Sequence, residues 1–298
     1  LFFVVYFLLV LQFVPFGEVL TADRYMYLPV LGLSIAVFSL VNLKEKQMKV
    51  ISVLLIFILG GLSFVRAGVW QNSSALYTDI LKKHPHSSIA LNSLGAEYML
   101  SRNYDRAIGY FNKAINEDVN NHKGYYNRGL LYAQNGKFNE ALADFNKAIE
   151  LKHYPKAYVA RANVYYMLKD FSKAMSDAEV VLKAEPDNVK ANFVIANCYD
   201  DLNQLDKAMV YYNKVIALNT SDPSFYLRRA IVHGKLKQSD QCLKDLDAST
   251  AINMNYGEAY FWKGVVKVNM SQNPCDDLKK ALNLGYTAAE GPLAKYCR

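Results

Sequence analysis

The chain has 298 residues, 34 Lys/Arg against 27 Asp/Glu and a net charge of +7, so it is long enough for two domains and only mildly basic. Its positive charge is dispersed, a net +2 over residues 1–70 and +5 over the rest. No Lys/Arg-rich run interleaved with aromatics tracks a phosphate backbone, which argues against a nucleic-acid partner.

Three apolar stretches come first. Residues 1–17 carry no charge, 25–43 form an uncharged run of 19 residues between Arg24 and Lys44, and 50–65 an uncharged run of 16 between Lys49 and Arg66. A membrane span needs about 20 predominantly apolar residues. The second stretch meets that length. The third reaches it if Arg66 snorkels and Trp70 sits in an interfacial belt. The first has neither an initial Met nor a basic leader and reads as a span cut by the start of the chain. The expectation is a membrane segment over 1–70 with about three transmembrane helices, in the C-terminal part of a longer polytopic protein. Lys44, Lys46 and Lys49 form the one concentrated positive loop, and short positive loops stay cytoplasmic. Everything after the third span is then expected to be extracytoplasmic: periplasmic in a bacterium, lumenal in a eukaryote.

Between the first two spans, Ala-Asp-Arg-Tyr-Met-Tyr-Leu-Pro occupies 22–29. Asp23, Arg24, Tyr25 and Tyr27 crowd a carboxylate, a guanidinium and two phenols at a membrane boundary, with Glu18 nearby. Charges there are costly unless paired or engaged with a polar ligand. Two readings fit: an Asp23–Arg24 interfacial anchor with belt tyrosines, or contact with the phosphate or sugar of a lipid-linked donor, Arg24 being the anion partner.

Residues 71–87 read as a connecting helix that ends at His84-Pro85 and closes the start of a repeat array. From Gly95 a period of 34 begins. Small residues recur at Gly95, Gly129, Ala162, Ala196, Ala230 and Gly264, and three residues on come Tyr98, Tyr132, Tyr165 and Tyr199. Twelve residues past each small residue stand Ala107, Ala141, Ala174, Ala208 and Cys242, and sixteen past it Phe111, Phe145, Ala178, Tyr212 and Leu246. Two antiparallel helices approach closely only where both carry small side chains, and larger ones fill the space beside that contact. This pattern resembles the tetratricopeptide repeat. Six units are expected over 88–284, with a capping helix over 285–298 to cover the last apolar face. The fold class is therefore all-α, transmembrane helices followed by a right-handed tetratricopeptide superhelix.

The Asp-Arg-Tyr-x-Tyr-x-Pro core, followed by Gly32, also resembles a segment near the last spans of a family of membrane glycosyltransferase-like proteins. That family includes the transmembrane and tetratricopeptide-repeat-containing O-mannosyltransferases and bacterial relatives of protein mannosyltransferases. The layout is similar too: terminal spans, Trp70, a helix, then repeats. The resemblance implies a parent that uses a lipid-linked sugar donor. The catalytic acidic residue of such enzymes lies in an early exoplasmic loop, so no catalytic residue carries over to this chain.

Tetratricopeptide arrays bind proteins or peptides in a concave groove lined by the first helices. Tyr126, Phe193 and Phe261 fall at candidate groove positions, where core or inter-repeat packing competes as a reading. The carboxylate clamp of chaperone-adaptor members needs Lys and Asn on one first helix, Asn on the next, and Lys and Arg on the third. Only Asn127 and Lys156 fit, with Asn92, Ala96 and Ala160 at the other places. No metal spacing, phosphate loop or nucleophile elbow occurs, so neither a metal nor a cofactor is expected. Cys198 and Cys242 read as core residues, whereas Cys275 and Cys297 flank the terminal helices as a candidate disulfide. The leading functional expectation is a membrane-anchored protein-interaction array with a protein or peptide in its groove and a membrane lipid, such as a lipid-linked sugar, at the loop. The alternative is a non-enzymatic membrane-tethered scaffold or receptor.

Overall fold

The computed structural model describes residues 73–297 together with Gln47 and Val50. The apolar stretches expected to span a membrane and the loop residues Glu18, Asp23, Arg24, Tyr25 and Tyr27 lie outside the described residues. Among the described residues no helix is long and apolar enough to cross a membrane. The chain divides into two compact units, Leu1–Pro85 and His86–Arg298. In the first, helix α1 (Ser73–Lys83) ends in Lys82 and Lys83, cations suited to a helix C-terminus, just before Pro85.

The second unit is a succession of helical hairpins. First helices α2 (Ser88–Leu100), α4 (His122–Gln134), α6 (Pro155–Met167), α8 (Val189–Asp201), α10 (Pro223–Lys235) and α12 (Gly257–Asn269) are each 13 residues long. Their partners α3 (Tyr104–Glu117), α5 (Phe138–Leu151), α7 (Phe171–Ala184), α9 (Leu205–Leu218) and α11 (Ser239–Ile252) have 14, while α13 (Cys275–Asn283) has 9. A short 3₁₀ turn, Thr287–Ala289, and α14 (Glu290–Tyr296) close the end.

Each hairpin turns by the same device. One residue after the first helix takes left-handed backbone: Arg102, Gly136, Lys169, Asn203, Lys237 and Ser271, with φ from +54° to +72°. The next amide then reaches back to the helix, as in Asn103 N–H to Tyr98 O at 2.8 Å and Asp170 N–H to Tyr165 O at 2.9 Å, with the same bond in the other four hairpins. This is a Schellman closure, which satisfies carbonyls that the helix end leaves unbonded. Helix starts are as local. The Asn121 side chain accepts from Gly124 N–H and Asn188 from Ala191 N–H, while Pro155 and Pro223 open α6 and α10, where a missing amide donor costs nothing.

The small–large contacts of the repeat form the core. Ala107, Phe111, Ala141, Phe145, Ala174, Ala178, Ala208, Tyr212 and Leu246 are all fully buried. A Cβ on Gly95, Gly129 or Gly264 would stand 2.6, 2.7 or 2.6 Å from Phe111, Phe145 or Leu278, closer than carbon atoms pack. Each hairpin also packs on the next, so apolar clusters run from one repeat to its neighbour, such as Ala174, Ala178 and Val181 with Ala191, Val194 and Ile195. The all-α tetratricopeptide superhelix is thus built from contacts within and between adjacent repeats.

Candidate functional site

Three consecutive first helices enclose a pocket of about 600 Å³. Helix α4 supplies Tyr126 and Leu130, α6 supplies Val159, Ala160 and Asn163, and α8 supplies Val189 and Lys190, with Tyr154, Pro155 and Lys156 at the α6 entry and Glu185 and Asn188 before α8. The floor is apolar and aromatic. Tyr126 packs edge-on to Tyr154 at 5.2 Å and tilts against Phe145 at 6.1 Å, which holds its ring in place. Burial raises the pKa of both tyrosines, so their hydroxyls stay protonated and can donate hydrogen bonds. His122 packs on Tyr154, and its pKa is lowered by burial and by Lys152 and Lys123, which keeps the ring neutral near pH 7. Glu185 accepts a 2.7 Å hydrogen bond from Asn188 Nδ2, and Lys156, Lys190 and Glu185 are the exposed charged residues of the rim. The pocket thus combines an apolar floor, a few polar groups, two cations and one carboxylate.

A second set of polar residues runs along the seam between first and second helices. Arg128 forks onto Asp144 at 2.8 and 2.7 Å, Arg161 onto Asp177 at 2.7 and 2.7 Å, and Arg229 onto Asp245 at 2.8 and 2.7 Å. The remaining guanidinium nitrogen reaches an Asn on the preceding hairpin: Asn112, Asn146 or Asn213. Tyr125 and Tyr132 flank Arg128, and Tyr158 and Tyr165 flank Arg161. In the last hairpin Lys263 and Lys267 share Asp277. These forks link neighbouring repeats. The sequence reading missed them. Their signal was present in four of the six repeats as an Arg or Lys just before the small residue and an Asp just before the residue it meets, for example Arg128-Gly129 with Asp144-Phe145, and Arg229-Ala230 with Asp245-Leu246.

Of the candidate groove residues, Tyr126 lines the pocket. Phe193 turns into the array, 4.8 Å from the Phe225 ring and 6.0 Å from Tyr212, and Phe261 packs against Trp262 and Tyr286. Asn127, a clamp position, donates from Nδ2 to Asn92 Oδ1 at 3.1 Å. Cys275 and Cys297 form a disulfide with Cα atoms 5.5 Å apart. Cys198 and Cys242 are buried, and burial pushes their thiols up to about 12 and about 11, leaving them un-ionised and poor nucleophiles. Among the described residues no three His, Cys, Asp or Glu side chains converge on a metal position.

A stack of near-identical helical hairpins with a lined inner pocket defines a helical-repeat solenoid. The chain belongs to the tetratricopeptide-repeat proteins: family profiles described as "Tetratricopeptide repeat" match residues 58–121, 122–154 and 168–231, together more than half of it. It is similar to the Hsp70-Hsp90 organizing protein of Triticum aestivum, 30% identical over 114 residues that cover 38% of this chain and 20% of that one. It is also similar to the Protein O-mannosyl-transferase TMTC3 of Homo sapiens, 24% identical over 277 residues, 85% of this chain and 30% of the relative. The chain spans about a fifth of the length of the first curated relatives it matches. Among solved structures, the APC/C hetero-tetramer Cut9-Hcn1 aligns with a TM-score of 0.69 at 13% identity, over 74% of this chain and 45% of the other, a likeness of fold.

Proposed function

We propose that the array docks an extended protein segment in the pocket formed by α4, α6 and α8, and that it belongs to a membrane-anchored, glycosyltransferase-like parent that uses a lipid-linked sugar donor. The observation that carries the docking reading is the pocket itself, an apolar floor rimmed by polar and charged side chains across three repeats. The similarity to an organizing protein of chaperones supports a role in holding other proteins. The client differs in kind, because Asn92, Ala96 and Ala160 stand at three of the five clamp positions, Ala160 where the clamp needs Arg. The similarity to an O-mannosyl-transferase over 85% of the chain supports the glycosyltransferase-like parent, in which the array positions the acceptor and the Asp23–Arg24 loop faces the donor lipid. An assembly scaffold without an enzymatic half is the alternative. The Cys275–Cys297 disulfide favours an oxidising, extracytoplasmic location for the array.

Hydrogen exchange on the full chain tests the docking reading. A panel of unstructured heptapeptides should include members that protect the first helices around Tyr126, Val159 and Lys190. If no peptide protects them, or protection falls on α5 and α7 instead, docking in this pocket is wrong. For location, a reporter active only outside the cytoplasm, fused after residue 298, should be active. Cytoplasmic activity would reverse the orientation.

A further inference from the structure

The pocket's charge identifies the chemistry of what it would hold. The second residue of three successive first helices is lysine: Lys123 on α4, Lys156 on α6 and Lys190 on α8. All three are exposed, and among the described residues none pairs with a carboxylate, whereas the seam cations Arg128, Arg161 and Arg229 are all consumed by aspartates. The one carboxylate in the pocket lining, Glu185, accepts a hydrogen bond from the uncharged Asn188 amide and pairs with none of the three lysines. The result is one unpaired lysine at the same helix position of three successive repeats, of which Lys156 and Lys190 line the pocket beside the apolar floor of Leu130, Val159 and Val189, against the single carboxylate of Glu185.

We infer that this pocket takes an internal acidic segment of a partner protein, an extended stretch with carboxylates set between apolar residues, its acids facing Lys123, Lys156 and Lys190 and its apolar side chains lying on the floor. This rests on the docking reading above and adds the charge of the ligand. Spacing favours it. Neighbouring helices pack about 10 Å apart, and an extended polyproline-type chain rises about 3.1 Å per residue with every third side chain on one face. Acids three residues apart therefore meet successive lysines. The recognition uses side-chain carboxylates at the row, so it does not require a free chain terminus, unlike a terminal-carboxylate clamp.

The test is fluorescence anisotropy on the full chain with an N-terminally labelled, C-terminally amidated probe, Asp-Leu-Pro-Asp-Leu-Pro-Asp. Its Asn-for-Asp and Lys-for-Asp counterparts serve for comparison. The Asp probe should bind at least about tenfold more tightly than the Asn probe, the Lys probe should not bind, and binding should weaken as salt rises. Lys156→Gln/Lys190→Gln should erase about tenfold of the Asp probe's affinity and leave the Asn probe unmoved, with the far-ultraviolet spectrum and Tm unchanged because both lysines are exposed. Equal binding of the Asp and Asn probes, or an Asp probe indifferent to both lysine substitutions, overturns the acidic preference while leaving peptide docking intact. Binding of none of the three overturns the acidic preference, and it removes the docking reading as well only if no panel peptide protects the first helices. Binding of a heparin hexasaccharide through the same two lysines, with no probe bound, would make the row a polyanion site and also overturn the proposal.

Discussion

A single methyl group separates Gly129 from a displaced Phe145 ring. The Cβ of any other residue would meet that ring at 2.7 Å, and Phe145 is fully buried and cannot yield without shifting α5 against α4. Gly129→Leu should therefore lower stability by about 3 kcal/mol or more, through overpacking. Gly136→Ala meets no neighbour, but it forces a Cβ into left-handed backbone at φ +72°. That costs about 1 kcal/mol, and five sibling turns already carry it with Arg102, Lys169, Asn203, Lys237 and Ser271. Denaturant melts of both variants should separate them clearly, and equal losses would contradict the close contact. The converse substitution, Lys169→Gly, should raise stability by about 0.5–1 kcal/mol by relieving that backbone. The repeating small residues made these contacts legible in sequence. The left-handed turn was legible only at Asn135-Gly136, because elsewhere its occupants are ordinary polar residues and the Schellman bond, not the side chain, defines the turn.

At the scale of helices, the Arg–Asp forks explain a break in the pattern. Repeat four carries Ile195 and Tyr211 where its neighbours carry the arginine and the aspartate, and repeat one likewise carries Leu94 and Tyr110, so the same seam is also built without charges. Buried pairs are costly to break but need not stabilise more than a well-packed apolar replacement. The Asp177 side chain is 8% exposed and Arg161 18%, so Asp177→Ala leaves a guanidinium largely out of water and should cost about 2–3 kcal/mol. Arg161→Ile/Asp177→Tyr, which copies repeat four, should cost clearly less than that single change. A double-mutant cycle by thermal or urea melts measures the coupling, and an additive result would show that the fork contributes nothing as a pair. The same comparison marks the limit of sequence reading. Tyr126, Phe193 and Phe261 each occupy the fifth residue of a first helix, yet only Tyr126 lines the pocket. Phe193 is drawn inward by Phe225 and Tyr212, and Phe261 by Tyr286. Periodicity assigns a helix face, while the ring's direction is decided by what the next repeat offers.

For the molecule as a whole, repeat architecture confines each perturbation to its neighbourhood, because hairpins touch only adjacent hairpins. The terminal disulfide is the place to measure this. Cys275 and Cys297 close a loop with a sequence separation of 22, enclosing α13, the 3₁₀ turn and α14. Inside it Leu278, Ala281 and Ala289 are fully buried against partly buried Tyr260, Phe261, Tyr286 and Leu293, so the loop covers the apolar end of the sixth hairpin. By the loop-entropy argument the bond contributes roughly 3 kcal/mol. Cys275→Ser/Cys297→Ser should therefore lose hydrogen-exchange protection by up to that amount in α12–α14, while α4–α8 around the pocket keep theirs. Uniform loss over every hairpin would mean that the array melts as one cooperative body and that the cap governs its binding face. Protection unchanged everywhere would mean that α14 stays seated by its apolar contacts and the bond adds nothing.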